Sequence, residues 1–317
     1  GSGILDITAR VLSSYLFSPL VSESDVDDWS KIKVFADGVY DMVSQTNNIT
    51  LANMSVAGIE TFDNLDKLSL FNTVLNDGGN DVERTNYTYS VVKGIRDSVN
   101  LVQRVADGTD SPTNTSLTLS QINGLMLEQN VTHLASFVYL IAARGVDASN
   151  TWTKLNDLHN LYILSLDKFV RAANNNNAKI ILSNQEYIDV GIIDIVPKTM
   201  AIVNDYLDSA FVKGTNVNNS IKIADYVKYA RIVQSSQAPY ISQSLDNASI
   251  HNYFGFDEAP SHYAYSRSPE YELELFNSAI DNIDEAKKDT YDELRDIFET
   301  IVKLHVIARF SNGFVKG

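Results

Sequence analysis

The sequence predicts an all-α fold, an elongated multi-helix bundle of about seven to nine helices that ends in a long C-terminal helix. Three observations lead to this prediction. Apolar residues recur every three or four positions along most of the chain, which is the period of one face of an α-helix. Residues that favour helix ends flank these segments, and short joints rich in turn-forming residues separate them. The 317 residues are 44% hydrophobic, which is enough to bury a core.

Two helices are predicted in the first third of the chain. Asp25 to Ser44 carries apolar residues at helical spacing, and Trp29 near its start is expected to anchor the core. Asn80 and Glu83 resemble a capping box, and the apolar pattern after them continues to Gly108, where a helix is expected to stop.

Two further helices are predicted before the middle of the chain. Ser120 opens one that ends at Gly145, with an inward face formed by Ile122, Leu125, Phe137 and Leu140. Thr151 opens the next, whose apolar stripe includes a second core tryptophan, Trp152. Buried histidines on such apolar faces, among them His159, are interpreted as core residues.

The four consecutive asparagines at 174–177 mark a boundary between two halves. Residues 1–3 are typical of a remnant of a cleaved tag, residues 4–173 form an N-terminal helical half, and residues 178–317 form a C-terminal half packed on it in one continuous bundle. In the second half, Pro197 is expected to begin a helix, and Ser220 to cap another that runs towards Pro239.

The last predicted helix is the longest. Pro269 occupies a favourable first position, an apolar stripe runs from Phe276 to Ala308, and the predicted helix spans Tyr271 to Phe310. About 40 residues would form a rod roughly 60 Å long. We expect the N-terminal segment to pack along this helix, so that the two ends of the chain lie near one another.

Composition excludes several classes of function. The net charge is −15, which opposes binding to nucleic acid and to anionic membrane surfaces. The longest apolar run, 137–143, is far shorter than the roughly 20 residues of a membrane-spanning helix, so no membrane insertion is expected. The chain has no cysteine and none of the common phosphate, dinucleotide, hydrolase or zinc-protease motifs, and we predict neither a cofactor nor a bound metal.

The strongest candidate site is an aromatic-rich stretch, 251–271. Aromatic side chains in a connecting segment either pack against the bundle or line a ligand pocket. The first possibility is a packed connector. The second is a surface for a small molecule or a protein partner, with carboxylates that orient it. The third is a metal site formed by His251, Asp257, Glu258 and His262. The predicted ligand-binding residues are His251, Tyr253, Phe256, Asp257, Glu258, His262, Tyr263 and Tyr265.

The final helical segment is strongly acidic. Eleven carboxylates between Glu270 and Glu299 stand against three basic residues. This density is typical of a solvated helix face, and it would also suit docking to a basic partner. Asp292 and Asp296 are four residues apart and would share a helix face, the arrangement of a general acid and base pair, although no neighbouring group separates their pKa values.

These observations favour a non-catalytic module that binds a small molecule or a protein partner. The expected role is an extracytoplasmic sensor or recognition domain, periplasmic or at the cell surface, that transmits a shift between long helices and forms at most a weak homodimer. A structural or assembly protein, such as a virion or surface component, is the alternative. A helical-bundle metalloenzyme is the third hypothesis.

Overall fold

The chain is described by a computed structural model, which covers residues 9–43, 48–77, 87–174, 179–209, 212–235, 269–284, 287–288 and 290–314. Within these residues the structure contains thirteen α-helices, three short 3₁₀ turns and no strand, so the predicted all-α class is confirmed. The helices are α1 (Ala9–Leu16), α2 (Trp29–Val43), α3 (Leu51–Val56), α4 (Leu65–Asp77), α5 (Tyr89–Ala106), α6 (Leu119–Asn123), α7 (Leu134–Arg144), α8 (Trp152–Asn174), α9 (Asn184–Asp189), α10 (Pro197–Asp208), α11 (Ser220–Ser235), α12 (Pro269–Asn282) and α13 (Tyr291–Phe314).

Contacts between Cα atoms divide the chain into two compact units, Gly1–Tyr162 and Ile163–Gly317. The division falls inside α8, N-terminal to the asparagine run at 174–177. The expectation that two halves form one continuous bundle therefore stays a prediction, as does the elongated shape.

Helix α5 is the centre of the first unit. It contacts α1, α4, α6 and α7, while α2 packs against α3 and α1. The inward face of α5 carries Val92, Val99 and Val102, each with no exposed surface. These residues recur at helical spacing, and this explains why one helix can support several neighbours.

In the second unit, α10 packs against α11 and α13, and α12 packs against α13. Pro197 begins α10 as predicted. Asn204 of α10 lies in the core, 4% exposed, and its amide bonds to both backbone groups of Leu182, with Nδ2 to the carbonyl at 2.8 Å and the Leu182 amide to Oδ1 at 3.3 Å. The hydroxyl of Tyr187 also donates to Oδ1, at 3.2 Å. A buried side chain thus provides hydrogen-bond partners for the backbone of a segment that has no regular structure.

The prediction of a single long C-terminal helix was wrong, because the structure has α12 and α13 in its place. Lys288, 1% exposed, donates from Nζ to the carbonyl of Ile280 in the last turn of α12. Thr290 then opens α13 with reciprocal bonds to Glu293, one from the Glu293 amide to Thr290 Oγ1 and one from the Thr290 amide to Glu293 Oε2, both 3.2 Å long. Hydrogen bonds at the end of α12 and at the start of α13 stabilise the break between the two helices. The apolar stripe that predicted one helix is therefore divided between two.

The predicted helix from Ser120 to Gly145 is also two helices, α6 and α7. Its four inward residues, Ile122, Leu125, Phe137 and Leu140, are buried as expected. The loop between the helices is held by α8, where Trp152 Nε1 donates to the Leu125 carbonyl at 3.1 Å and Asn156 Oδ1 accepts the Glu128 amide at 2.9 Å. Tertiary hydrogen bonds here replace the bonds of a continuous helix.

Two smaller expectations were also wrong. The helix assigned from Asn80 begins at Tyr89, because Tyr87 and Thr88 are not helical, and Asn80 and Glu83 lie outside the described residues. Trp29 is 71% exposed and does not anchor the core, whereas Trp152 is 8% exposed and does. Trp29 is the first residue of α2, where a side chain of the first turn can project beyond the packed stripe.

The described residues already contain more helices than the seven to nine predicted for the chain. Both long predicted segments are split, and helices as short as Leu119–Asn123 add to the count. Among the helices that the structure describes, none combines the length and the apolar character needed to span a membrane.

Candidate functional site

The aromatic-rich stretch predicted as the ligand site lies outside the described residues up to Ser268. The same holds for the alternative metal ligands. Both hypotheses stay predictions. The residues concerned are His251, Tyr253, Phe256, Asp257, Glu258, His262, Tyr263 and Tyr265.

A different candidate lies in the first unit, a surface groove with a volume of about 670 Å³. It is bounded by the link between α1 and α2, by the start of α2 and by the end of α3. We call it the N-terminal groove. Its lining residues are Leu20, Val21, Ser24, Asp25, Ser30, Lys31, Val34, Phe35, Ser55 and Val56.

One side of the N-terminal groove depends on a close approach at Gly58. The Ser18 hydroxyl donates to the Gly58 carbonyl, and the Leu20 amide donates to Ser18 Oγ at 3.2 Å. Gly58 has a φ of +68°, and a Cβ there would lie 2.6 Å from Cγ2 of Val21. Only glycine permits this conformation and this contact together, so Gly58 positions Leu20 and Val21 along the groove.

A second glycine lies where α2 and α3 meet beside the groove. A Cβ at Gly38 of α2 would overlap the side chain of Val56 in α3. The missing side chain lets α2 and α3 pack closely, and the side-chain amide of Asn53 in α3 also donates to Asp41 Oδ2 of α2 at 2.9 Å. Val56 is thereby held beside Val34 and Phe35 of α2, which line the same groove.

The polar lining of the groove includes Ser24 and Asp25, which belong to a run of acidic residues, 23–28, that we call the acidic turn. Asp25 Oδ2 accepts the Ser22 amide at 2.7 Å and its hydroxyl at 2.6 Å, and these hydrogen bonds, led by that of the side chain, lower the pKa of Asp25. Asp28 accepts the Ser30 hydroxyl and the Lys31 amide, and the bond from Ser30 is the main cause of its lowered pKa. Both carboxyl groups are therefore ionised at neutral pH.

Lys31 links the acidic turn to α2. Its ammonium group lies 2.8 Å from Asp27 Oδ1 and 2.9 Å from the carbonyl of Ser24. These contacts hold the 3₁₀ turn Glu23–Asp25 against the first turn of α2. The ammonium group of Lys31, which lines the groove, is thus already paired with oxygen atoms of the acidic turn.

The apolar side of the groove is open to solvent. Leu20 and Val34 are each 58% exposed, and Val56 is 37% exposed. Phe17 and Trp29, which flank these residues in the chain, are also exposed. Single exposed apolar residues are ordinary, but several that line one concave surface are typical of an interaction site.

The described lining of the groove combines apolar side chains with hydroxyl groups, one carboxylate and one ammonium group. Its hydroxyl groups, on Ser24, Ser30 and Ser55, have no histidine beside them among the described lining residues to act as a general base. Within the part of the chain that the structure describes, no three histidine or carboxylate side chains are grouped as metal ligands would be. The arrangement can hold an apolar surface and orient a positive charge.

This groove was not predicted from the sequence. The stripe that identified α2 includes Phe35, Val39 and Met42, which are buried. Val34 is apolar but lies outside that stripe, as does the exposed Leu20 in the preceding link. Apolar residues that do not fit the inward face were the available signal, but only the fold places such residues in one groove.

Comparisons with known proteins give no guide to function. The chain matches no protein-family model, no curated protein and no solved structure.

Proposed function

We propose that this chain is a non-catalytic helical module that binds a protein partner through the N-terminal groove. The observation that carries the proposal is that three segments of the chain each bring an exposed apolar side chain to the lining of the groove, namely Leu20, Val34 and Val56. Each Å² of apolar surface removed from water contributes about 25 cal/mol, so covering these side chains would favour association.

The openness of the walls favours a protein partner over a small molecule. A pocket for a small ligand covers most of the ligand surface, and typical volumes are about 300–1,000 Å³. The volume of about 670 Å³ falls in that range, but the wall residues are themselves half exposed. Such a surface suits a partner that lays one face across it.

We further propose that the module acts as an extracytoplasmic sensor or recognition domain. The supports come from the sequence, namely the net charge of −15 and the asparagine-rich joints. A small-molecule site in the stretch 251–271 remains part of this hypothesis. Its test is the double substitution Tyr263→Ala and Tyr265→Ala, which is expected to abolish ligand binding while the midpoint of unfolding stays nearly unchanged.

An assembly role is favoured by a separate observation on α13. Leu304 and Ile307 are 58% and 60% exposed, and residues three apart share a helix face. An outward apolar face of this kind would suit contact with another copy. Native mass spectrometry separates the two roles. A stable, discrete oligomer would support assembly, and a monomer or weak dimer would support the binding module.

The groove itself can be tested with Nile red, a neutral dye whose emission shifts to the blue in apolar surroundings. We expect the wild-type protein to shift the emission and Leu20→Ser to lose more than about half of the effect, since Leu20 forms a wall. Leu65→Ser is the matched control, because Leu65 is 74% exposed in the same unit and does not line the groove. Equal dye binding by both variants would contradict the proposed site.

A further inference from the structure

We propose that the occupant of the N-terminal groove is a basic amphipathic helix of a partner protein. This inference rests on the proposed function and adds the chemistry of the partner. It follows from the position of the acidic turn beside the exposed apolar walls. Asp25 lines the groove itself, and Glu23, Asp27 and Asp28 are its neighbours in the chain.

The acidic turn keeps an excess of negative charge after its internal contacts are counted. Its six residues, Glu-Ser-Asp-Val-Asp-Asp, include four carboxylates and no basic residue. Lys31 lies 2.8 Å from Asp27 and neutralises that carboxylate, while Asp25 accepts its hydrogen bonds from the uncharged Ser22. A partner with lysine or arginine beside an apolar face would therefore meet attraction at this edge.

A helix is the occupant that fits both sides of the groove. An amphipathic helix presents an apolar stripe flanked by polar residues, and such a stripe can lie along Leu20, Val34 and Val56 while its flanks face the acidic turn. Nucleic acid and anionic membrane surfaces have the wrong charge for this edge. A small apolar ligand would leave the carboxylates without a role.

The test uses two synthetic peptides, each about 18 residues or five helical turns long. One contains leucine and lysine at helical period, and the other has glutamate in place of every lysine. We expect calorimetry with the full chain to detect binding of the lysine peptide and no binding of the glutamate peptide. Raising the salt from about 50 to about 300 mM is expected to weaken the lysine peptide about tenfold.

Two pairs of variants locate the binding. Leu20→Ser is expected to weaken the lysine peptide about tenfold, and Leu65→Ser to leave it unchanged. The double variant Glu23→Gln with Asp25→Asn is expected to weaken it by about threefold or more at low salt. Its control, Asp147→Asn with Asp157→Asn, removes two carboxylates from exposed positions of the same unit and is expected to have less than about a twofold effect.

Equal weakening by the two double variants would overturn the inference, because the peptide would then be responding to the overall charge. Binding of both peptides with similar affinity would overturn it too, since charge would have no role. If the lysine peptide fails to bind while the emission shift of Nile red is still reduced in Leu20→Ser, the proposed groove is supported and the proposed basic partner is rejected. If the dye is also insensitive to Leu20, both proposals fail.

Discussion

The imidazole of His159 lies against the ring of Phe137, with the two ring centroids 4.9 Å apart. His159 is 1% exposed, and its Nδ1 has no hydrogen-bond partner among the residues that the structure describes. Burial lowers the pKa of His159 below its ordinary value of 6.5, because a charged imidazolium would lose its hydration there. The core of the first unit therefore contains a neutral histidine.

This burial predicts a loss of stability in weak acid. As the pH falls through about 6.5, the unfolded chain binds a proton at His159 that the folded chain does not bind, so the free energy of unfolding decreases by at most about 1.4 kcal/mol per pH unit. The loss ends once the pH passes below the folded pKa. Urea unfolding at several pH values, compared with His159→Leu, isolates this contribution. Identical pH dependence in the two proteins would show that His159 does not contribute.

Gly58→Ala is expected to lower the free energy of unfolding by about 1–3 kcal/mol, because its φ of +68° disfavours a side chain and the new Cβ would meet Val21. Gly94→Ala is the control. Gly94 lies in α5, and a Cβ there would have no neighbouring atom within 4 Å, so alanine is expected to stabilise the protein by about 0.5–1 kcal/mol. Denaturant midpoints would measure the change in stability of both variants. Unchanged stability in Gly58→Ala would contradict the close approach of Gly58 to Val21.

Asn204→Ala is expected to cost about 2–4 kcal/mol, because it leaves the buried amide and carbonyl of Leu182 without their partner. The exposed Asn184 provides the comparison, and its replacement by alanine is expected to change stability by less than about 0.5 kcal/mol. Hydrogen exchange at the Leu182 amide would show directly whether the second unit depends on this clamp. Unchanged exchange in Asn204→Ala would argue against it.

Thr290→Ala removes the side-chain partner of the Glu293 amide at the start of α13, and we expect a loss of about 0.5–2 kcal/mol. Thr300→Ala, at an exposed position inside the same helix, is expected to be neutral or slightly stabilising, since alanine is the better helix former. Thermal unfolding would compare the two. Equal effects would indicate that Thr290 does not cap a helix and that the break before α13 is not stabilised as described.

Much of the fold was predictable because helical period reports which residues are buried. Phe35, Val39 and Met42 in α2 are buried as their spacing indicated, and so are Ile223, Val227 and Ala230 in α11. Helix breaks were harder to predict, because the apolar stripe runs on through them. The pair Thr290 with Glu293 is a capping box that the sequence contains and that would have marked the missed start of α13.

The candidate site could not be predicted in the same way. Leu20 and Val56 are 36 positions apart, and nothing in either local pattern relates them. They line one groove because Gly58 and Gly38 permit two close backbone approaches that depend on residues distant in the chain. The predicted ligand residues at 251–265 stay a prediction.

The sequence by itself determined the all-α class and the inward faces of the helices, since both depend on local propensity and on the spacing of apolar residues along one segment. The tertiary structure decided where the helices break, which tryptophan is buried and where a concave apolar surface forms. Those outcomes depend on contacts such as Trp152 with the Leu125 carbonyl and Lys288 with the Ile280 carbonyl. A hydrogen bond between distant segments has no periodic signature, so it becomes visible only when the chain is folded.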